Sequence, residues 1–287
     1  MTASPLTNTC GQSTNILQRK CRIVEHDEIG QHSRQLVLDA PEIASLAVPG
    51  QFAHVLCGDS HDPLLRRPFS IHYACPESGQ VSIVYEIRGR GTALLSSKDV
   101  GEAVDVLGPL GNGFTLPESV DAPVLLVGGG CGAAPLYFLG LTIEEKFCPE
   151  CMIFMMGAAT ADRHVCFDEF YHFCQDGQDR YCISTDDGSC GDKGFVTDLL
   201  VQHLQSADKA RPSMIYACGP MPMLKAVSRI AVDQDIPCQV SVEAKMACGV
   251  GACLSCVIKV RDGDSFKYVR SCHEGPVLDA GEVIWDE

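Results

Sequence analysis

Four cysteines near the end of the chain carry the strongest chemical signal. Cys248, Cys253 and Cys256 form a C-x4-C-x2-C run, and Cys272 follows after fifteen further residues. That is the thiolate spacing of plant-type 2Fe-2S ferredoxins. A loop that wraps a cluster must turn tightly, offer sulfurs inward and aim backbone N–H groups at them. Gly249 and Gly251, between the first two cysteines, permit that path. A single zinc ion is the competing occupant, although zinc sites usually pair one C-x2-C with another rather than spanning a four-residue gap.

A one-electron cluster needs a donor or acceptor. Reduced nicotinamide carries its electrons in pairs, so an intermediary able to release them singly is required, and a flavin is one. Two segments could grip it. Arg67-Pro68-Phe69-Ser70 opens a strand, where a guanidinium can pair with phosphate and a hydroxyl can bond the flavin ring system. Gly91-Thr92 opens a short helix, and a glycine-preceded helix start suits a pyrophosphate. Taken alone, Arg67 reads equally as a surface arginine and Gly91 as a turn glycine. A nicotinamide nucleotide has its own candidate seat. Gly128, Gly130 and Gly132 follow an apolar run and precede a helical stretch at 133–141. Strand, glycine turn and helix let backbone approach a pyrophosphate, though the same residues could make a plain buried turn. Cys218-Gly219-Pro220 ends another apolar run, where Gly219 could approach the nucleotide and Cys218 is either a buried filler or a catalytic thiol beside the nicotinamide.

These segments must be held by two kinds of architecture. Runs at 35–38, 52–57, 69–73, 81–88 and 103–107, separated by Pro-Gly, Ser-Gly and Gly-Pro turns, predict an antiparallel β-barrel with one short helix at 92–96. Runs at 124–127, 151–156, 181–184, 214–217 and 238–242 alternate with helical stretches and predict a parallel-sheet α/β domain. The remainder is the cysteine loop, two strands at 256–260 and 266–270, and a tail. The division expected is 16–118, 119–242 and 243–287.

At 287 residues the chain is long enough for two domains and an appendage. A net charge of -15 repels phosphate backbones, so a nucleic-acid partner is not expected. Residues 124–143 carry no charge over a length that could span a bilayer, but five glycines and Pro135 break the stretch, so no membrane segment is expected. Residues 1–20 lack the apolar core of a secretory signal, which points to the cytoplasm. In that reducing setting the 17 cysteines are not a disulfide framework. Cys10, Cys21, Cys57, Cys75, Cys131, Cys166, Cys174, Cys182, Cys190, Cys218 and Cys238 are scattered as small buried hydrophobes would be. Cys148 and Cys151 read as buried thiols in a helix-to-strand connection.

In this order, the flavin segment, Gly91-Thr92, the 108–114 glycine run, the glycine turn, the 185–189 loop, Cys218-Gly219-Pro220 and the 243–248 approach to the cluster motif resemble the ferredoxin-NADP reductase superfamily. Within it the chain is most similar to the electron-transfer subunits of NAD-dependent dihydroorotate dehydrogenases. The resemblance implies FAD, a 2Fe-2S cluster and NAD as cofactors, with Cys248, Cys253, Cys256 and Cys272 as cluster ligands. It adds Val84, Tyr85 and Glu86 to the flavin-lining set and assigns the pyrophosphate to Gly91 and Thr92. It also implies a catalytic, FMN-containing dihydroorotate dehydrogenase partner in a hetero-oligomer serving pyrimidine synthesis. A diaphorase subunit of another redox complex is the alternative, and a non-catalytic iron-sulfur sensor a further one. Where the superfamily usually has Tyr before the serine, Phe69 keeps an aromatic face and loses a hydroxyl. Trp285 is expected to pack the tail rather than shield a flavin. Asp162 favours NADH by repelling a 2′-phosphate, while Arg163 opposes it, and the resemblance tips the expectation to NADH.

Overall fold

In a computed structural model of the protein, residues 16–58, 62–174 and 180–285 are described. Cys10 lies outside them.

The first half closes into a barrel of six antiparallel strands. These are β1 (Leu17–Gly30), β2 (Ser33–Asp39), β3 (Phe52–Leu56), β4 (Arg67–Cys75), β5 (Gln80–Glu86) and β6 (Ala103–Leu110), in the order β1-β2-β5-β4-β3-β6. A short helix α1 (Pro41–Ala44) follows β2, and α2 (Arg90–Ser96) follows β5. Strand β1 escapes the sequence pattern because it is rich in charge and buries few of its side chains, chiefly Cys21 and Ile23. Its first half pairs with β6 and its second half with β2, which closes the barrel.

The second half is a seven-stranded sheet, in the order β10-β9-β8-β7-β11-β12-β15. Its strands are β7 (Val124–Gly129), β8 (Met152–Ala158), β9 (Tyr181–Thr185), β10 (Asp192–Lys193), β11 (Met214–Cys218), β12 (Cys238–Ser241) and β15 (Val277–Asp279). All pairings are parallel except that of β15 with β12. Helices α3 (Ala133–Lys146), α4 (Phe167–Phe173), α5 (Val196–Gln205) and α6 (Met221–Asp233) connect them. The strand order reverses between β7 and β11, and ligands of open α/β sheets bind in the crevice at such a switch point. Residues 124–143 resolve into the buried β7, a tight turn and α3; among the described residues no helix is long and apolar enough to cross a membrane.

Between β12 and β15 lies the cysteine loop with a hairpin of β13 (Val257–Asp262) and β14 (Ser265–Arg270). The parts share their packing. Phe138 of α3 sits in the barrel core, while Val84 of β5 joins the core of the sheet. Trp285 packs against the hydrophobic core on the other face of the sheet.

Two cysteine expectations need correction. Cys148 and Cys151 are half-buried and joined as a disulfide, their Cα atoms 5.6 Å apart, within the span such a bond can bridge. Of the scattered cysteines, Cys75, Cys131, Cys182 and Cys190 are only half-buried: Cys75 ends β4, Cys131 and Cys190 stand in turns, and Cys182 lies in β9, whose first three residues are all half-buried.

Candidate functional site

A cavity of about 390 Å³ opens where barrel, sheet and cysteine loop meet. Arg67, Pro68, Phe69 and Ser70 from β4, Val84, Tyr85 and Glu86 from β5, and Gly91 and Thr92 from α2 all line it. The barrel brings them together because β4 and β5 are neighbours and α2 follows directly from β5.

The cavity has an aromatic wall and a cationic floor. Phe69 and Tyr85 stand 5.4 Å apart between ring centroids. The Tyr85 hydroxyl faces away, donating to Nε2 of His26 at 2.8 Å, while Nδ1 of His26 donates to the Lys98 carbonyl at 2.9 Å. Arg67 lies against the first turn of α2: a Cβ on Gly91 would sit 3.2 Å from Arg67 Nε, so any larger residue there would push the arginine side chain aside. The Arg67 guanidinium donates to the Leu65 and Arg66 carbonyls and, among the described residues, pairs with no carboxylate. The Thr92 hydroxyl is spent within the turn, accepting from the amides of Arg88 and Gly89. What remains to meet a ligand there is the set of first-turn amides, which have no partner within a helix.

Glu86 accepts from Arg88 Nε at 2.7 Å and from Arg163 Nη1 at 3.2 Å, so Arg163 is tied to the barrel. The sequence reading missed several wall residues: Phe52, Arg88, Cys131 and the segment from Ser241 to Ala244 with Met246. Glu243 is an exposed residue on the cavity wall, and the protein packed around its carboxyl raises its pKa. Burial likewise pushes the Cys131 thiol up to about 11. The signal available for this segment was its place between the last parallel strand and the cluster motif.

The nucleotide candidates flank the switch point. Gly128 pairs in register with Cys218 across the carboxyl ends of β7 and β11. Three of the four glycines are packing positions. A Cβ on Gly128 would strike Met156, on Gly132 the Cys218 carbonyl, and on Gly219 the Met223 side chain at 2.8 Å. Gly130 differs: its φ is +54° and a Cβ there would meet nothing within 4 Å. It faces open space in a conformation that suits glycine. Cys218 is 1% exposed, its thiol pKa raised by burial, and it does not line the cavity, whereas Cys131 does.

The four tail cysteines fall into two pairs. Cys248 has Cys253 as its neighbouring thiol, and Cys272 has Cys256, whose sulfur also accepts from the Cys272 amide at 3.5 Å. Four sulfurs around one zinc would all stand within about 3.8 Å of one another at its usual bond lengths. Among the described residues, however, no three of these sulfurs lie within 4.8 Å. Two separate pairs suit two irons bridged by sulfide. Amides complete the cradle: Val250 and Ala252 donate to Cys248 Sγ at 3.4 and 3.3 Å, and Gly251 donates to Cys272 Sγ at 3.1 Å. Burial alone would raise the Cys248 thiol, but these amides and Cys253 bring it down to about 6, while burial pushes Cys272 up to about 12. Gly249 and Gly251 have φ of +73° and +78°, and a Cβ on Gly249 would collide with the buried His54 ring at 2.5 Å. Cys253 is exposed, and Cys256 and Cys272 are buried.

Cluster site and cavity share a wall. Cys256 and Cys272 pack with Phe52, Leu110, Ala244 and Met246, and Phe52, Ala244 and Met246 also line the cavity.

Comparison with known proteins agrees with this layout. The iron-sulfur cluster binding domain of dihydroorotate dehydrogenase B matches residues 243–284, and the oxidoreductase NAD-binding domain matches residues 126–229. The chain is 40% identical over 259 residues to the dihydroorotate dehydrogenase B (NAD(+)) electron transfer subunit of Desulforamulus reducens, covering 90% of this chain and 95% of that one. It is 42% identical to the subunit of the same name from Shouchella clausii, covering 93% and 98%. Among solved structures, the NADH-dependent reduced ferredoxin-NADP oxidoreductase superposes with a TM-score of 0.77 at 30% identity, covering 92% of this chain and 90% of the other. An Amycolatopsis cytochrome P450 reductase shares the fold, with a TM-score of 0.64 at 22% identity over 77% and 67% of the two chains.

Proposed function

We propose a function from one premise: the chain belongs to the family of NAD-dependent dihydroorotate dehydrogenase B electron transfer subunits. It moves electrons between NAD(H), FAD and a 2Fe-2S cluster, and so to or from a catalytic subunit. When bound, the flavin exchanges a hydride with the nicotinamide and single electrons with the cluster, which conducts them one at a time.

The observation that carries this reading is the shared wall of Phe52, Ala244 and Met246, one layer of side chains between the cavity and the buried sulfurs of Cys256 and Cys272. Arg67 and the first-turn amides at Gly91 and Thr92 hold the FAD pyrophosphate; Pro68, Phe69, Ser70, Val84, Tyr85 and Glu86 hold its ring system. Gly130 admits the NAD pyrophosphate at the switch point, with Gly128, Gly132 and Gly219 keeping the turn close to β11. Cys218 supports that seat from the core, and Cys248, Cys253, Cys256 and Cys272 bind the irons. The parts 16–118, 119–242 and 243–287 then correspond to flavin, nucleotide and cluster. Because Arg163 is tied to Glu86 and Asp162 repels a 2′-phosphate, NADH is preferred to NADPH.

The partner is a dihydroorotate dehydrogenase catalytic subunit carrying FMN, in the cytoplasm. The outward face of the β13–β14 hairpin fits such a docking role. Val257, Phe266 and Tyr268 are exposed there, Lys259 lies 4.2 Å over the Phe266 ring, and exposed Leu254 adjoins Cys253. Aromatic residues are enriched at interfaces.

Anaerobic purification with iron, sulfide and flavin analysis tests the cofactor set, with one FAD and two irons expected per chain. Zinc in place of iron, or FMN in place of FAD, overturns it. A dye-reduction assay checks the nucleotide, with higher kcat/KM expected for NADH.

A further inference from the structure

Barrel and sheet meet at three side chains that none of the three cofactors uses. The ligand atoms of His72, Cys166 and Glu169 all lie within 4.8 Å of one another. His72 is the extra residue of a bulge in β4, where Ile71 pairs with Ile83 and Tyr73 with Ser82. A bulge re-aims a side chain. Here the ring turns out of the barrel and stacks on Tyr137 of α3, with centroids 4.8 Å apart. It is 2% exposed. Nδ1 has Ser82 Oγ at 3.3 Å and Gln35 Nε2 at 3.4 Å, whereas the enclosed Nε2 has, among the described residues, no hydrogen-bond partner. Glu169 Oε1 stands 3.6 Å from that nitrogen, too far for a hydrogen bond. The separation is instead close to the roughly 3.3 Å between two ligands of a tetrahedral zinc. Cys166, 3% exposed, heads α4 with a φ of 59°, a left-handed conformation uncommon outside glycine.

We propose that His72 Nε2, Cys166 Sγ and one Glu169 carboxylate oxygen bind a single Zn2+, with water as the fourth ligand, clipping the barrel to the nucleotide-binding domain. Thiolate, imidazole and carboxylate together select zinc over magnesium or calcium. As the zinc–sulfur bond forms, the thiol proton leaves to solvent, and no electron moves. The imidazole takes the tautomer protonated at Nδ1, which donates to Ser82 Oγ as a ligating histidine's second nitrogen commonly does, while the Gln35 amide donates to the same oxygen. The side chain of Glu169 is 33% exposed and leaves the ion a way in.

The test uses protein carrying both its cluster and its flavin. It is treated with a mild chelator, exposed to Zn2+ alone, desalted and assayed for zinc, iron and FAD, and zinc K-edge absorption is recorded. One retained zinc per chain is expected, with iron and FAD unchanged and a shell of one sulfur at about 2.3 Å and nitrogen or oxygen otherwise. Cys166→Ser and His72→Gln should each lose the retained zinc and keep iron and FAD. Glu169→Gln, at the most exposed of the three positions, serves if either fails to fold. An all-sulfur shell would assign the zinc to the tail cysteines and overturn the proposal. Zinc that does not survive desalting, or that all folded variants retain in full, overturns it equally.

Discussion

Gly130 and Gly132 lie two residues apart and carry opposite expectations. Gly130 has a left-handed φ and open space before it, so Gly130→Ala costs roughly 1–2 kcal/mol of backbone strain and collides with nothing in the protein. FAD and iron content should be unchanged while KM for NADH rises severalfold in a dye-reduction assay. Gly132→Ala would drive a methyl into the Cys218 carbonyl, and its expected result is a lower Tm and poor yield rather than a kinetic defect. If Gly130→Ala leaves KM for NADH as it was, the nucleotide does not approach there. Arg67→Ala removes a guanidinium that, among the described residues, no carboxylate claims, and the variant should purify with FAD largely lost and iron retained. The sequence named the residues of β4, β5 and α2 that now share one cavity, because each lies within a local strand or helix-start pattern. It missed Cys131 and the segment from Ser241 to Ala244 as wall residues, since only tertiary folding returns the end of β12 to the barrel. It left Cys218 open between a buried filler and a thiol beside the nicotinamide, and the structure shows its side chain buried and off the cavity wall.

Strands were legible wherever one face is apolar in alternation or the whole strand is buried, as in β5, β7 and β8. Those that escaped are instructive. β1 is charged because much of it faces solvent, β10 has two residues, and β15 has three and is held by pairing with β12 rather than by its own pattern. The cluster loop was legible from cysteine spacing alone, but its clasp was not. Arg270, at the end of β14, donates to the Gly251 carbonyl at 2.7 Å and pairs with Glu274, which also accepts from the Arg270 amide at 2.7 Å. That ties the loop carrying the first three cysteines to the turn carrying the fourth. Arg270→Met keeps most of the stem and removes the clasp. It should load its cluster normally and lose it several times faster to a chelator, followed by the bleaching of cluster absorbance, while FAD content holds.

At the scale of the whole molecule, charge and layout place the cluster at an exit. The chain carries a net charge of -15, yet residues 243–272 hold five basic residues (Lys245, Lys259, Arg261, Lys267, Arg270) against three acidic ones (Glu243, Asp262, Asp264). Local charge of the opposite sign steers encounter with a partner. Cys253 is exposed on that side, while Cys256 and Cys272 are buried against the cavity wall, so the cluster site reaches from the flavin side to the surface. The two jobs should therefore separate by mutation. Cys253→Ser replaces a soft thiolate with a poor iron ligand and should abolish the cluster. The flavin grip proposed at Arg67–Ser70 and α2 lies on other elements, so NADH-driven dye reduction should survive near its full rate. NAD-linked dihydroorotate oxidation by the complex reconstituted with its catalytic subunit should be lost. A folded, FAD-loaded, cluster-free variant that kept full dihydroorotate-to-NAD activity would show that electrons bypass the cluster, and the one-layer wall of Phe52, Ala244 and Met246 would then be packing without a part in transfer.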